Sequence, residues 1–237
     1  MNIPHRFFIF ELIFKGRMQT FKTSKSKESI LNKIRTALNE QAVPTPFPEV
    51  DKEQIKSVYD KDDLTIEEKF ANEFIKLGGK FVFCDNEQEL IDNIQTLYES
   101  RAWKQLLCSD KRLINLLHNN KIDILQLTDP KEENADACIT GCEALISRTG
   151  SVLFSSHQYM GRTAPVFYPI HIIVAYANQI VYDVEDGIRL LKQRYNNELP
   201  SMINLNTGPS RTADIEKTLV VGVHGPAEVF CLYVNAW

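Results

Sequence analysis

Between residues 65 and 127 the chain alternates, at short intervals, between segments of helical period and apolar runs of strand length. Residues 65–77 carry apolar side chains at helical spacing and stop at Gly78-Gly79, a pair that ends helices. The run KFVFC at 80–84 reads as a strand, 87–101 as a helix, 105–108 as a strand, 111–118 as a helix and 122–127 as another strand. Neighbouring strands joined through a helix cannot form a tight hairpin. They are expected to lie parallel, which requires helices packed on the sheet.

The second half has a different texture. Residues 135–156 hold two apolar runs around Arg148-Thr149-Gly150-Ser151. Strands are expected at 171–175, 179–182, 220–223 and 229–234, and helices at 184–195 and 212–219. Before the body, residues 24–39 form an amphipathic, externally charged helix, followed by Pro44-Thr45-Pro46-Phe47-Pro48. That proline run fits neither a helix nor a central strand. The expected organisation is an arm and linker over 1–48 and a domain over 49–237. The apolar run at 7–14 is too short to span a bilayer. Met18 follows it, so residues 1–17 are expected to be an extension ahead of the true start; the other reading is an element that docks on a partner. There is no internal repeat.

A formal net charge of −4 offers nothing to a phosphate backbone, so nucleic acid is not an expected partner. Five cysteines, an odd number, point to reduced thiols and a cytoplasmic location. Cys138 and Cys142 are separated by three residues and have no second pair, so neither a metal nor a cofactor is expected.

Three glycine-containing loops are candidates for chemistry. In the first, Arg148, Thr149, Gly150 and Ser151 offer backbone N–H groups, two hydroxyls and a guanidinium, a set that suits a carboxylate or phosphate. The same residues also suit an ordinary turn in which Gly150 supplies positive φ. In the second, Gly208, Ser210, Arg211 and Thr212 open the helix expected at 212–219, where unpaired N–H groups attract anions. A well-capped helix start reads equally well, and Asp214 lies in its first turn. In the third, His224 leaves a strand just before Gly225-Pro226. A histidine at a strand end can move a proton near neutral pH, or simply pin the turn. Arg162 joins the set from a segment, 155–168, that reads as a lid. His171 opens a strand and reads as structural. There is no Gly-rich dinucleotide fingerprint, phosphate loop or nucleophile elbow.

The string GPSRTADIEKTLVVGVHGP at 208–226 closely resembles a signature of the LUD-domain family. ADACITGCEALISRTGSVLFSS at 135–156 resembles the same family's Thr-Gly-Ser/Thr loop, and YPIHIIVA its Pro-x-His strand. The resemblance in motif order covers residues 65–236. It implies a NagB/RpiA/CoA-transferase-like α/β fold: an open sheet, mainly parallel with an antiparallel part, and helices on both faces. It also implies a part in oxidising L-lactate to pyruvate beside two iron–sulfur partner proteins. The related partner carries Cys-x-x-Cys clusters and this chain has none, so a non-redox role is expected. The acidic nucleophile of CoA-transferases has no position here that a motif identifies; Glu143 is the nearest.

Three functions follow. In the first, the chain is a non-redox component of a lactate-oxidising assembly that binds a small anion or a partner subunit. In the second it is a stand-alone enzyme on a sugar phosphate or acyl-CoA, with His224 or Asp214 as acid/base. In the third it is an assembly or regulatory protein.

Overall fold

The computed structural model describes residues 25–39, 63–122, 135–212 and 219–236. The chain divides into two units, Met1–Lys61 and Asp62–Trp237. The described part of the first is helix α1 (Lys25–Asn39), with Ile30, Ile34 and Leu38 exposed along one side. The proline run, residues 1–17 and, beyond Ile122, the strand expected at 122–127 lie outside the described residues.

The second unit begins with α2 (Ile66–Lys76), started by a capping box. Thr65 Oγ accepts the Glu68 N–H, and the Glu68 carboxylate accepts the Thr65 N–H. Then come β1 (Lys80–Cys84), α3 (Glu87–Ser100), β2 (Leu106–Cys108), α4 (Lys111–Asn119), β3 (Ala137–Gly141), β4 (Ala144–Ile146) and β5 (Ser151–Ser155). These are followed by α5 (Ala164–Phe167), β6 (Ile170–Tyr176), β7 (Ile180–Val181), α6 (Val184–Arg194), β8 (Ile203–Asn206), β9 (Arg211–Thr212), β10 (Val220–Val221) and β11 (Glu228–Val234).

Five strands make a wholly parallel sheet in the order β1-β11-β6-β3-β2. The antiparallel part is a separate four-stranded sheet, β7-β4-β5-β8, in which the β4–β5 and β5–β8 pairs are antiparallel. Both faces of the parallel sheet are covered, as the apolar strand sequences require. Ile172, Val174, Phe230 and Leu232 pack with Leu90, Ile94, Leu113 and Leu117 of α3 and α4. The alternate residues Ile173, Ala175, Cys231 and Tyr233 pack with Phe70 and Phe74 of α2 and with Leu145, Val152 and Phe154 of the second sheet. Helix α6 closes the outer side of that second sheet through Leu191 and Ile188 against Ala144, Ile146 and Leu153.

One expected element is corrected. Thr212 does not open a helix: it lies in β9, paired with Val220 of β10. Residues 213–218 lie outside the described residues. The segment expected to be a lid is folded turn and helix, with Ala164 and Tyr168 buried and the Gly161 N–H on the Gln158 carbonyl at 3.1 Å.

Candidate functional site

Ligands of open α/β sheets gather outside the carboxyl ends of the parallel strands. At that edge the protein has a cavity of about 310 Å³, lined by Asp110 after β2, Gly141 and Cys142 at the end of β3, and Val174 and Tyr176 at the end of β6. Arg112, Gln158, Asn178, Gln179 and Arg194 complete the wall. This size suits a small metabolite.

Four polar lining residues are placed by local contacts. Asp110 is the N-cap of α4, its Oδ1 accepting the N–H groups of Arg112 at 2.9 Å and Leu113 at 3.2 Å. The cap leads Arg112 into the crevice, where its guanidinium lies 4.2 Å from the Tyr176 ring centre and donates to Glu87 at 2.8 Å. Tyr176 donates its hydroxyl to the same Glu87 at 3.1 Å, and burial pushes the phenol up to about 12. It is therefore a proton-bearing group at neutral pH. Gln179 accepts the Tyr176 N–H at 2.8 Å and donates to the Cys142 carbonyl at 2.5 Å, tying the β6 turn to β3.

Behind the crevice lies a buried charge. Glu143 is 1% exposed, and its carboxylate accepts from Ser155 Oγ at 2.5 Å, from the Tyr195 hydroxyl at 2.7 Å and from the Arg194 guanidinium. Burial and then Glu143 raise the Tyr195 phenol. Three donors satisfy the carboxylate in the interior. Glu143 pairs with Arg194, which lines the crevice.

The three loops singled out in the sequence do come together, but elsewhere. Thr149 and Ser151 share a hydrogen bond at 2.8 Å, and Ser151 shares another with Thr207 at 2.9 Å. Ser210 donates its N–H to the Pro226 carbonyl at 2.9 Å and accepts the Gly222 N–H at 3.0 Å. Gly208 and Arg211 abut Leu77 at the end of α2, Arg211 donating to its carbonyl. This cluster borders the amino ends of β1, β6 and β11, opposite the crevice.

Its cations are engaged with protein. Arg148 grips both oxygens of Asp183 at 2.9 Å, which holds that carboxyl below its ordinary range. Asp183 in turn caps α6. Arg162 donates to Ser201 Oγ at 2.7 Å. His224 is exposed at the amino approach to β11, and the strand it follows is a two-residue ribbon strand rather than a buried one. Asp214 lies outside the described residues. In the sequence, Asp110 shows the cap pattern before an apolar helical run, which locates a helix start but not a ligand wall. Glu143, Tyr176 and Arg194 are distant in sequence, and no local pattern joins them.

His171 is structural. It is buried in β6, with Nε2 2.8 Å from Thr140 Oγ1 and the Phe154 ring centre 5.5 Å away, and burial lowers its pKa from 6.5 to about 3. The unfolded chain binds this proton below pH 6.5 while the folded chain does not, so the residue's contribution is complete above 6.5 and lost as pH falls toward 3. The expected slope is about 1.4 kcal/mol per pH unit below the unfolded pKa. Urea unfolding at pH 7.5 and 5.0 tests this: a His171→Asn variant is expected to lose roughly 2 kcal/mol less than the wild type over that interval. Equal losses refute a neutral buried histidine.

Among the described residues, no helix is long and apolar enough to cross a membrane, and no group of three or more His, Cys, Asp or Glu is placed to hold a metal. The five cysteines are unpaired and buried.

The sequence pattern of the LUD domain matches residues 67–234. A lactate utilization protein C from Halalkalibacterium halodurans is 31% identical over 161 residues, 64% of this chain and 70% of that protein. One from Bacillus subtilis is 35% identical over 107 residues, which are 44% of this chain and 45% of the relative. The crystal structure of a DUF162 family protein from Deinococcus radiodurans superposes with a TM-score of 0.54, covering 72% of this chain and 96% of that one at 22% identity. That likeness shows the mixed α/β fold with its mainly parallel sheet.

Proposed function

Because the chain belongs to the LUD domain family, we propose that it is a non-redox component of an L-lactate utilisation system and binds a small carboxylate in the crevice at the carboxyl ends of β2, β3 and β6. The observation that carries the site is the placing of two guanidiniums, Arg112 and Arg194, in the wall of one small cavity at that edge. Planar guanidinium groups fit carboxylates with paired, directional hydrogen bonds. Relatives named for lactate utilisation supply the substrate class. No two cysteines of this chain stand at Cys-x-x-Cys spacing, which supports assigning electron transfer to iron–sulfur partner proteins in the cytoplasm. The amino-edge cluster of Thr149, Ser210 and Arg211 then serves to join the two sheets and α2, and offers its exposed side to a partner.

Titration calorimetry of the full chain with L-lactate, pyruvate, a sugar phosphate and coenzyme A tests the ligand class. Carboxylate binding is expected, weakened about tenfold (~1.4 kcal/mol) by Arg112→Ala. Response to the sugar phosphate or coenzyme A alone overturns the reading in favour of a stand-alone enzyme. For the assembly role, lactate-dependent dye reduction by the purified partners is expected to rise when this chain is added; no change removes it from the system.

A further inference from the structure

The fold uses only one of the two oxygens of Asp110. Oδ1 takes both capping N–H groups of α4. Oδ2 lies 3.5 Å from where a β-carbon on Gly141 would stand, and Asp110 and Gly141 both line the crevice. Among the described residues no donor is hydrogen-bonded to Oδ2. An ionised carboxylate oxygen accepts and cannot donate. The crevice therefore presents Arg112 and Arg194, each paired through one nitrogen to a carboxylate (Glu87 and Glu143) and with further N–H groups to offer, and one spare acceptor. A ligand that completes this set brings a carboxylate for the cations and a hydroxyl hydrogen for the acceptor.

We propose that Asp110 is the specificity-determining residue of the crevice, its Oδ2 accepting the hydroxyl of a small 2-hydroxycarboxylate and rejecting the corresponding 2-oxo acid. This rests on the crevice being the ligand site proposed above. A ketone oxygen in the hydroxyl's place sets lone pairs against lone pairs and leaves Oδ2 without a partner, and sites built to bond a hydroxyl discriminate strongly against analogues that lack its hydrogen. The chain thereby holds the reduced member of a hydroxy/oxo acid pair and lets the oxidised member go. Its place is ahead of a dehydrogenation and not after it.

Asp110→Asn tests this with little change of shape. Asparagine caps a helix as well as aspartate does. With its Oδ1 retained on the cap, the amide nitrogen replaces Oδ2 and turns the acceptor into a donor. Calorimetry on the full chain is expected to show L-lactate bound about tenfold or more tightly than pyruvate by the wild type. In the variant the preference is expected to invert. Asp110→Ser also caps α4 but withdraws the second oxygen, so it is expected to abolish the preference without inverting it. An unchanged lactate-to-pyruvate ratio in both variants overturns the role of Asp110. If binding still weakens with Arg112→Ala, the crevice stands as the carboxylate site. If neither arginine matters, the crevice reading falls as well.

Discussion

Replacing Gly150 by alanine is expected to destabilise the protein by about 3 kcal/mol or more, and valine there is expected to prevent folding. Two independent constraints meet at this residue. Its φ is +59°, a left-handed conformation that L side chains rarely hold. A β-carbon would also stand 2.5 Å from the Phe74 nitrogen and 2.6 Å from the Glu73 carbonyl carbon, which are backbone atoms of α2. Backbone in mid-helix cannot turn aside as a side chain can. To make room, α2 would have to lift, taking Phe70 and Phe74 out of the core they share with Val152, Ile173 and Tyr233. Gly141→Ala is the control, since its β-carbon would meet Asp110 Oδ2 at an ordinary 3.5 Å. Urea midpoints separate the two: the Gly150 variant falls far below wild type and the Gly141 variant stays near it. A Gly150→Ala protein as stable as wild type would show that α2 is not wedged against this turn.

The same residue shows what was legible in the sequence. Gly150 belongs to a loop that offers N–H groups and hydroxyls to a ligand, and the turn alone predicts its positive φ. It does not predict the helix that presses on it, because α2 lies more than seventy residues upstream and meets it only through the fold. The strands and helices from 65 to 119 followed from periodicity, because each is a local pattern with its own caps, such as Thr65 and Asp110. Thr212, expected to open a helix, lies in a strand instead because pairing with Val220 outweighs local propensity at that position. The crevice was the least legible part. Asp110, Gly141, Tyr176 and Arg194 come from four separate segments, and parallel strands bring their ends together only after the long crossovers have closed. Sequence strings draw the eye to continuous motifs. Here such motifs lie where loops lock onto α2 and onto each other, and the arginines within them, Arg148 and Arg211, are committed to Asp183 and Leu77.

Arg194→Met is expected to cost about 3 kcal/mol of stability and, separately, about tenfold in carboxylate affinity. The first effect comes from Glu143. Removing the guanidinium leaves an almost fully buried carboxylate with two hydroxyl donors and no counter-charge. The cost falls at the lower end of the range for a broken buried pair because Arg194 itself is 37% exposed and solvent enters on its side. The loss belongs to Glu143 and not to the methylene packing of Arg194. Converting Glu143 to Gln in the same protein should then restore part of it, with a coupling of about 2 kcal/mol in the double-mutant cycle. Additive losses would mean that the two side chains stabilise the fold independently. The second effect separates in the same cycle. The double variant regains stability but has no guanidinium in the crevice, so its carboxylate affinity stays low. Affinity that recovered along with stability would show that Arg194 shapes the wall without touching the ligand. Arg189, five residues earlier on α6 and paired outward to Glu185 and Asp186, supplies the comparison: its replacement by methionine is expected to change neither quantity by more than about 0.5 kcal/mol.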